Sequence, residues 1–161
     1  MRLVLRLLIA VPVIYASWLA MLALHEIGHM LHARISGGRV VKVSLPLWGF
    51  SQTIVWPNPH ELFVVWGGPI WGAAIPLLAA TMMRSALHKV PDVLRFFSGF
   101  CLIANGAYIG AGAFIRTGDA GDMIRLGTPR VVMIACGIAC VGAGLLFWHR
   151  TRSLSLTSLK S

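Results

Sequence analysis

Between Arg6 and His25 the chain carries no charged side chain. Three further apolar runs follow, Leu62–Met83, Val93–Ile115 (with Arg95 near its start) and Val131–Trp148. A run of ~20 apolar residues, rising 1.5 Å per residue as a helix, is long enough to cross the hydrocarbon of a bilayer. Inside hydrocarbon each backbone amide and carbonyl must find its partner within the protein, and a helix supplies those partners locally. Four such runs point to an all-α integral membrane protein with about four transmembrane helices. A composition of 57% hydrophobic and 12% charged residues, with mean hydropathy +0.78, excludes an ordinary soluble domain.

The formal net charge of +9 does not indicate nucleic acid. The basic residues fall in short loops and tails between the apolar runs, with no basic stripe interleaved with aromatics, so the expected partner is the lipid bilayer and no nucleic-acid partner is expected. With the first helix starting on side A, Arg2, Arg6, Arg84, Lys89, Arg95, Arg150, Arg152 and Lys160 fall on that side. Arg34, Arg39, Lys42, Arg116, Arg125 and Arg130 fall on side B. The excess on side A points to cytoplasmic termini of a multi-pass protein of the cell membrane.

The N-terminus has the basic start and small residues of a secretory signal. Its apolar run continues to Leu24 and leads straight into ionisable residues, so it reads as an uncleaved first helix reaching about Ile35, stopped by Gly37-Gly38 and interrupted by Pro12. Beyond it the period changes. Val41, Val43, Leu45 and Leu47 alternate with Lys42, Ser44 and Pro46, and after Trp48-Gly49-Phe50 comes the β-branched and aromatic Thr53–Trp56. A period of two predicts a short β-hairpin at the membrane surface between helices 1 and 2, either a cap over the helix ends or an edge for an extended peptide. Gly68/Gly72 and Gly106/Gly110 supply small-residue seams for close helix packing. Cys101, Cys136 and Cys140 lie in apolar runs and form no disulfide framework; small-residue packing is the expected role of the last two. Residues 1–150 read as one domain and 151–161 as a mobile tail.

The chemistry concentrates at His25-Glu26-Ile27-Gly28-His29. Histidines four apart share a helical face, where two imidazoles can hold one zinc ion, and the glutamate between them can serve as general base. Ionisable groups at the end of an apolar helix are costly and are kept for function. A catalytic zinc takes three protein ligands. His32 lies on the same face, but ~10.5 Å of helical rise from His25 takes it out of reach of one ion. After the third run comes a loop, Arg116–Asp122, and alternating crossings bring its Asp119 and Asp122 to side B, the end that also carries the histidines. Asp119 is the preferred third ligand, Asp122 the alternative, and Glu61 a weaker competitor.

The HEIGH stretch at 25–29, the Gly67-Gly68-Pro69 opening of the second helix, and Gly118-Asp119-Ala120-Gly121-Asp122-Met123-Ile124 together resemble the site-2 protease family, the intramembrane zinc metalloproteases. The resemblance implies Zn²⁺ on His25, His29 and Asp119, and Glu26 as catalytic base. It also implies a membrane-protein or peptide substrate cleaved in or near a transmembrane segment, with Asn105 a candidate aid to the oxyanion. The contrasting expectation is a membrane protein that binds metal without hydrolysis, as a scaffold, sensor or transport accessory.

Overall fold

The computed structural model describes residues 2–87 and 91–157. Its elements run α1 (Arg2–Ile35), β1 (Val40–Ser44), β2 (Gln52–Val55), α2 (Glu61–Leu87), α3 (Asp92–Ile115), α4 (Gly118–Arg125) and α5 (Arg130–Thr157). Four of these helices are long and apolar enough to cross a membrane, as a multi-pass membrane protein requires.

α1 passes through Pro12 and ends where expected. Gly37 takes φ +77°, Gly38 N–H donates to Ala33 O at 2.7 Å, and Gly37 N–H to Arg34 O at 3.3 Å. These two bonds satisfy the last carbonyls of the helix, and the left-handed residue between them favours glycine.

The long helices stand in a row, α1 against α2, α2 against α3, and α3 against α5. The inner pair buries 44% (α2) and 50% (α3) of its most apolar stretch, whereas α1 and α5 bury only 17% each. The outer helices therefore show long apolar flanks such as Val11, Ile14, Ile138 and Leu146, which need surroundings as apolar as themselves. Both small-residue seams are used. A Cβ on Gly106 would meet Cys140 and the Gly137 carbonyl of α5, and Gly72 faces Asn105 of α3. Across the same layers Ser98 Oγ donates to Pro76 O at 2.8 Å, and the Trp148 indole N–H to Phe96 O at 3.0 Å.

Two expectations need correction in detail. The hairpin is present and antiparallel, with Val43 opposite Thr53 and Ser44 opposite Gln52, and with a register shift between Val40 and Lys42. Its strands are shorter than the alternation suggested, and the connection spans 45–51. Pro46 offers no amide to a ladder, and the apolar Leu45, Leu47, Trp48 and Phe50 leave the sheet exposed. That connection runs back along α1: the Tyr15 hydroxyl donates to Leu47 O at 2.9 Å, and the Tyr15 and Trp48 rings lie 5.0 Å apart. The hairpin thus lies along the apolar flank of α1 and does not merely cap its end.

The stretch after α3, read as a loop, is the short helix α4. It packs through Ala120 and Met123, three apart on one face, onto Ile109 and Ala113 of α3 and Met133 of α5. α5 continues helical through Thr157 into the expected tail; residues 158–161 lie outside those described.

Candidate metal centre

The site starts from a close crossing of α1 and α2. A Cβ on Gly28 would overlap the Gly67 carbonyl, one on Gly67 would overlap Gly28 O, and one on Gly68 would overlap Nε2 of both His25 and His29. Only glycine lets the backbones approach this far, so the Gly67-Gly68 pair is the floor of the site.

On that floor the two histidine rings stand edge to face, centroids 4.8 Å apart, both buried. Each has its Nδ1 engaged by an acceptor that can take only a proton. His25 Nδ1–H donates to Asn105 Oδ1 at 2.9 Å, and His29 Nδ1–H to the Val64 carbonyl at 2.8 Å. A neutral ring so held presents the lone pair of Nε2, which is how metal-binding histidines are oriented. Asn105, 3% exposed, is itself fixed by donating Nδ2–H to Cys101 O at 2.9 Å.

The third member arrives on α4. α3 ends at Arg116 in the left-handed region (φ 60°), and Gly118 repeats that conformation at φ +55°. The turn brings Asp119 into the first turn of α4, where its backbone N–H donates to the Tyr108 hydroxyl at 2.9 Å. Asp119 Oδ2 then lies 2.7 Å from His25 Nε2 and 3.3 Å from His29 Nε2. Ligand atoms of the three residues fall within 4.8 Å of one another, a spacing that can hold a metal ion. With both Nδ1 atoms donating, the two Nε2 atoms and a carboxylate converge, an arrangement that could hold a metal cation. The donor set of two imidazoles and one carboxylate suits zinc and other divalent first-row ions.

Glu26 is 2% exposed and accepts a hydrogen bond from the Thr53 hydroxyl of β2. His25, Glu26, His29 and Asp119 all line one cavity of about 730 Å³. Its lining includes apolar side chains (Trp18, Met21, Leu22, Phe50) and charged ones (Glu61, Asp122, Arg125).

Comparisons of this chain with protein-family models, with curated proteins and with solved structures find no match. The site is therefore read from its own geometry.

Of the residues singled out in sequence, the fold brings His25, His29 and Asp119 together and leaves the competitors outside. Asp122 is exposed and bonds Arg125 Nε at 3.1 Å, and Glu61 pairs with Arg125 Nη2 at 3.3 Å. His32 stacks on Phe63, centroids 4.0 Å apart, and hydrogen-bonds the Phe63 carbonyl through Nδ1 at 2.6 Å. Cys101, Cys136 and Cys140 are free thiols. Four partners escaped the sequence reading. Asn105, expected as an aid to the oxyanion, instead takes the His25 Nδ1 proton, a bond that spans 80 positions. Tyr108, Thr53 and the Val64 carbonyl carry no local signal at all.

Proposed function

We propose that this chain is an intramembrane zinc metalloprotease of the site-2 protease kind, cleaving a peptide bond in or near a transmembrane segment of a membrane protein. The observation that carries the reading is the convergence of His25, His29 and Asp119 beside a buried Glu26, on one cavity, within helices long and apolar enough to span a bilayer. His25 lies ten residues before the end of α1, hence ~15 Å of helical rise inside it. That depth favours a substrate that is itself apolar. The cavity's apolar lining would accept such a segment, and its charged side chains a polar boundary. The free edge of the hairpin offers backbone groups to an unwound strand.

His25, His29 and Asp119 would hold the metal. Zinc, when bound, supplies Lewis acidity toward a carbonyl and an attacking water. Glu26 takes the proton of that water on its carboxylate and later delivers it to the leaving amine. Asn105 and the Val64 carbonyl keep the two rings in the ligating tautomer. The protein would reside in the cell membrane with both termini in the cytoplasm, as the distribution of basic residues favours.

The test combines elemental analysis of the detergent-purified protein with cleavage of fluorescein-labelled casein and of a single-span peptide carrying a fluorophore and quencher across its apolar segment. One zinc per chain is expected. Glu26→Gln should keep the zinc and lose about 10²- to 10⁴-fold in rate, the usual worth of a general base. Equal activity in that variant refutes the mechanism. A zinc-loaded wild type that cleaves neither substrate returns the chain to the non-catalytic metal binder.

A further inference from the structure

The hairpin does more than border the cavity. β2 has alternating exposure, Gln52 and Ile54 outward, Thr53 and Val55 less exposed. The inward pair faces α1 and the turn that follows it: Val55 packs where a Cβ on Gly38 would sit, and the Thr53 hydroxyl reaches the Glu26 carboxylate of α1, 27 positions earlier in the chain. Among the described residues this is the hydrogen bond that the carboxylate receives, and it falls on Oε2. A valine would serve the strand equally well in shape and β propensity, so packing alone does not call for a hydroxyl here.

We infer that Thr53 is the positioning residue of Glu26: its hydroxyl, carried on β2, anchors Oε2 and leaves Oε1 as the oxygen free to take a proton in the cavity. The inference rests on the metalloprotease reading in giving Glu26 a proton to take. A carboxylate on three rotatable carbon–carbon bonds loses that aim without an anchor. The anchor belongs to the hairpin and not to α1, so the aim depends on β2 lying against the helix.

The experiment uses the full-length zinc-loaded protein in detergent, with Thr53→Val to remove the hydroxyl at constant shape and Thr53→Ser to restore it. Binding of acetohydroxamic acid and of azide is measured by calorimetry. The hydroxamic acid binds zinc as its anion and must give its proton to a nearby base, whereas azide has none to give. Thr53→Val is expected to bind the hydroxamic acid about 10-fold more weakly, the scale of one lost hydrogen bond to a charged group, with azide binding and zinc content unchanged. Thr53→Ser is expected to return to the wild-type constant. In turnover, kcat should fall about 10- to 100-fold in Thr53→Val with KM held, since only the proton transfer is affected.

Unchanged hydroxamic-acid binding in Thr53→Val overturns the assignment. So does a parallel loss of azide, or a Thr53→Ser variant that fails to recover. A rise in kcat would also overturn it, making the contact a latch. A wild type that shows the hydroxamic-acid pattern yet cleaves neither test substrate defeats the protease reading alone, because the binding result still places Glu26 under the control of Thr53.

Discussion

The sharpest quantitative consequence of the site concerns Asn105. Replacing it by leucine keeps the same branched skeleton of four side-chain heavy atoms, somewhat enlarged, and removes the acceptor for His25 Nδ1–H. The pair is buried, 2.9 Å apart, and the α2 backbone abuts the amide, since a Cβ on Gly72 would sit 3.0 Å from it. A leucine filling that space leaves no room for water to take over the bond. The ring then either keeps a buried N–H without a partner or moves its proton to Nε2 and loses the lone pair it would offer a metal.

Stranding a buried donor costs about 1–3 kcal/mol. At 1.4 kcal/mol per tenfold this corresponds to about 5- to 150-fold in zinc affinity, matching the ~10- to 100-fold typical of groups that orient metal-binding histidines. The assay is competition for zinc against a chromogenic chelator in the detergent-purified protein. Asn105→Asp is the companion, because a carboxylate still accepts the Nδ1 proton and should bind zinc at least as tightly as wild type. An Asn105→Leu constant within about twofold of wild type would show that His25 is oriented by something other than this bond.

Three further outcomes follow from the same geometry. Asp119→Ala should lower zinc affinity by at least about 100-fold, through loss of a charged ligand. Asp122→Ala should leave it within about twofold, because that side chain is exposed and engaged with Arg125; the reverse result would transfer the ligand role, and the same chelator competition reads both. Gly68→Ala should abolish zinc binding and lower the melting temperature, because its methyl would occupy the space of both Nε2 atoms, whereas Gly142→Ala, with nothing within 4 Å, should change neither in thermal unfolding and elemental analysis. Finally, zinc at a hundredfold excess over its dissociation constant should stabilise the fold by about 2.7 kcal/mol. Stripping it with chelator should lower the melting temperature by about 5 °C or more, an effect that Asp119→Ala should erase.

What could be read from the sequence divides along physical lines. The four long helices were legible because a span announces itself by an unbroken apolar run, and the end of α1 because Gly37-Gly38 closes it. The histidine pair was legible because i and i+4 on a helix is a local relation. Asp119 could be sided by counting crossings and preferred over Asp122, but no local pattern decided between them. Asp119 and Asp122 differ only in that the turn at Arg116–Gly118 and the burial of Ala120 and Met123 set the rotation of α4. α4 itself escaped notice because it is short and holds two glycines, so its helicity comes from packing on α3 and α5. The hairpin was found, but its path was not. Alternation marks strands, whereas the docking of Leu47 and Trp48 on Tyr15 is a contact between segments 32 positions apart. The partners Asn105, Tyr108, Thr53 and the Val64 carbonyl are long-range relations of the same sort.

The way the ligands are divided among elements carries a consequence of its own. Two of them, with Glu26 between, ride on α1, whose crossing with α2 at Gly28 and Gly67 is fixed by backbone-to-backbone contact. The Val64 carbonyl that holds His29 belongs to the same crossing. That half of the site is therefore held by helix packing alone, with no need of an ion. Asp119 comes on a short helix joined to α3 by two left-handed residues and held at its first turn by Tyr108. An ion shared by the three would thus tie α4 to α1, two elements otherwise joined chiefly through α2 and α3. Loss of Asp119 should accordingly leave a folded bundle with a weak two-histidine site, while loss of Gly68 should disturb the bundle and the site together. That asymmetry separates a centre grafted onto a helix crossing from one that the whole chain must fold around.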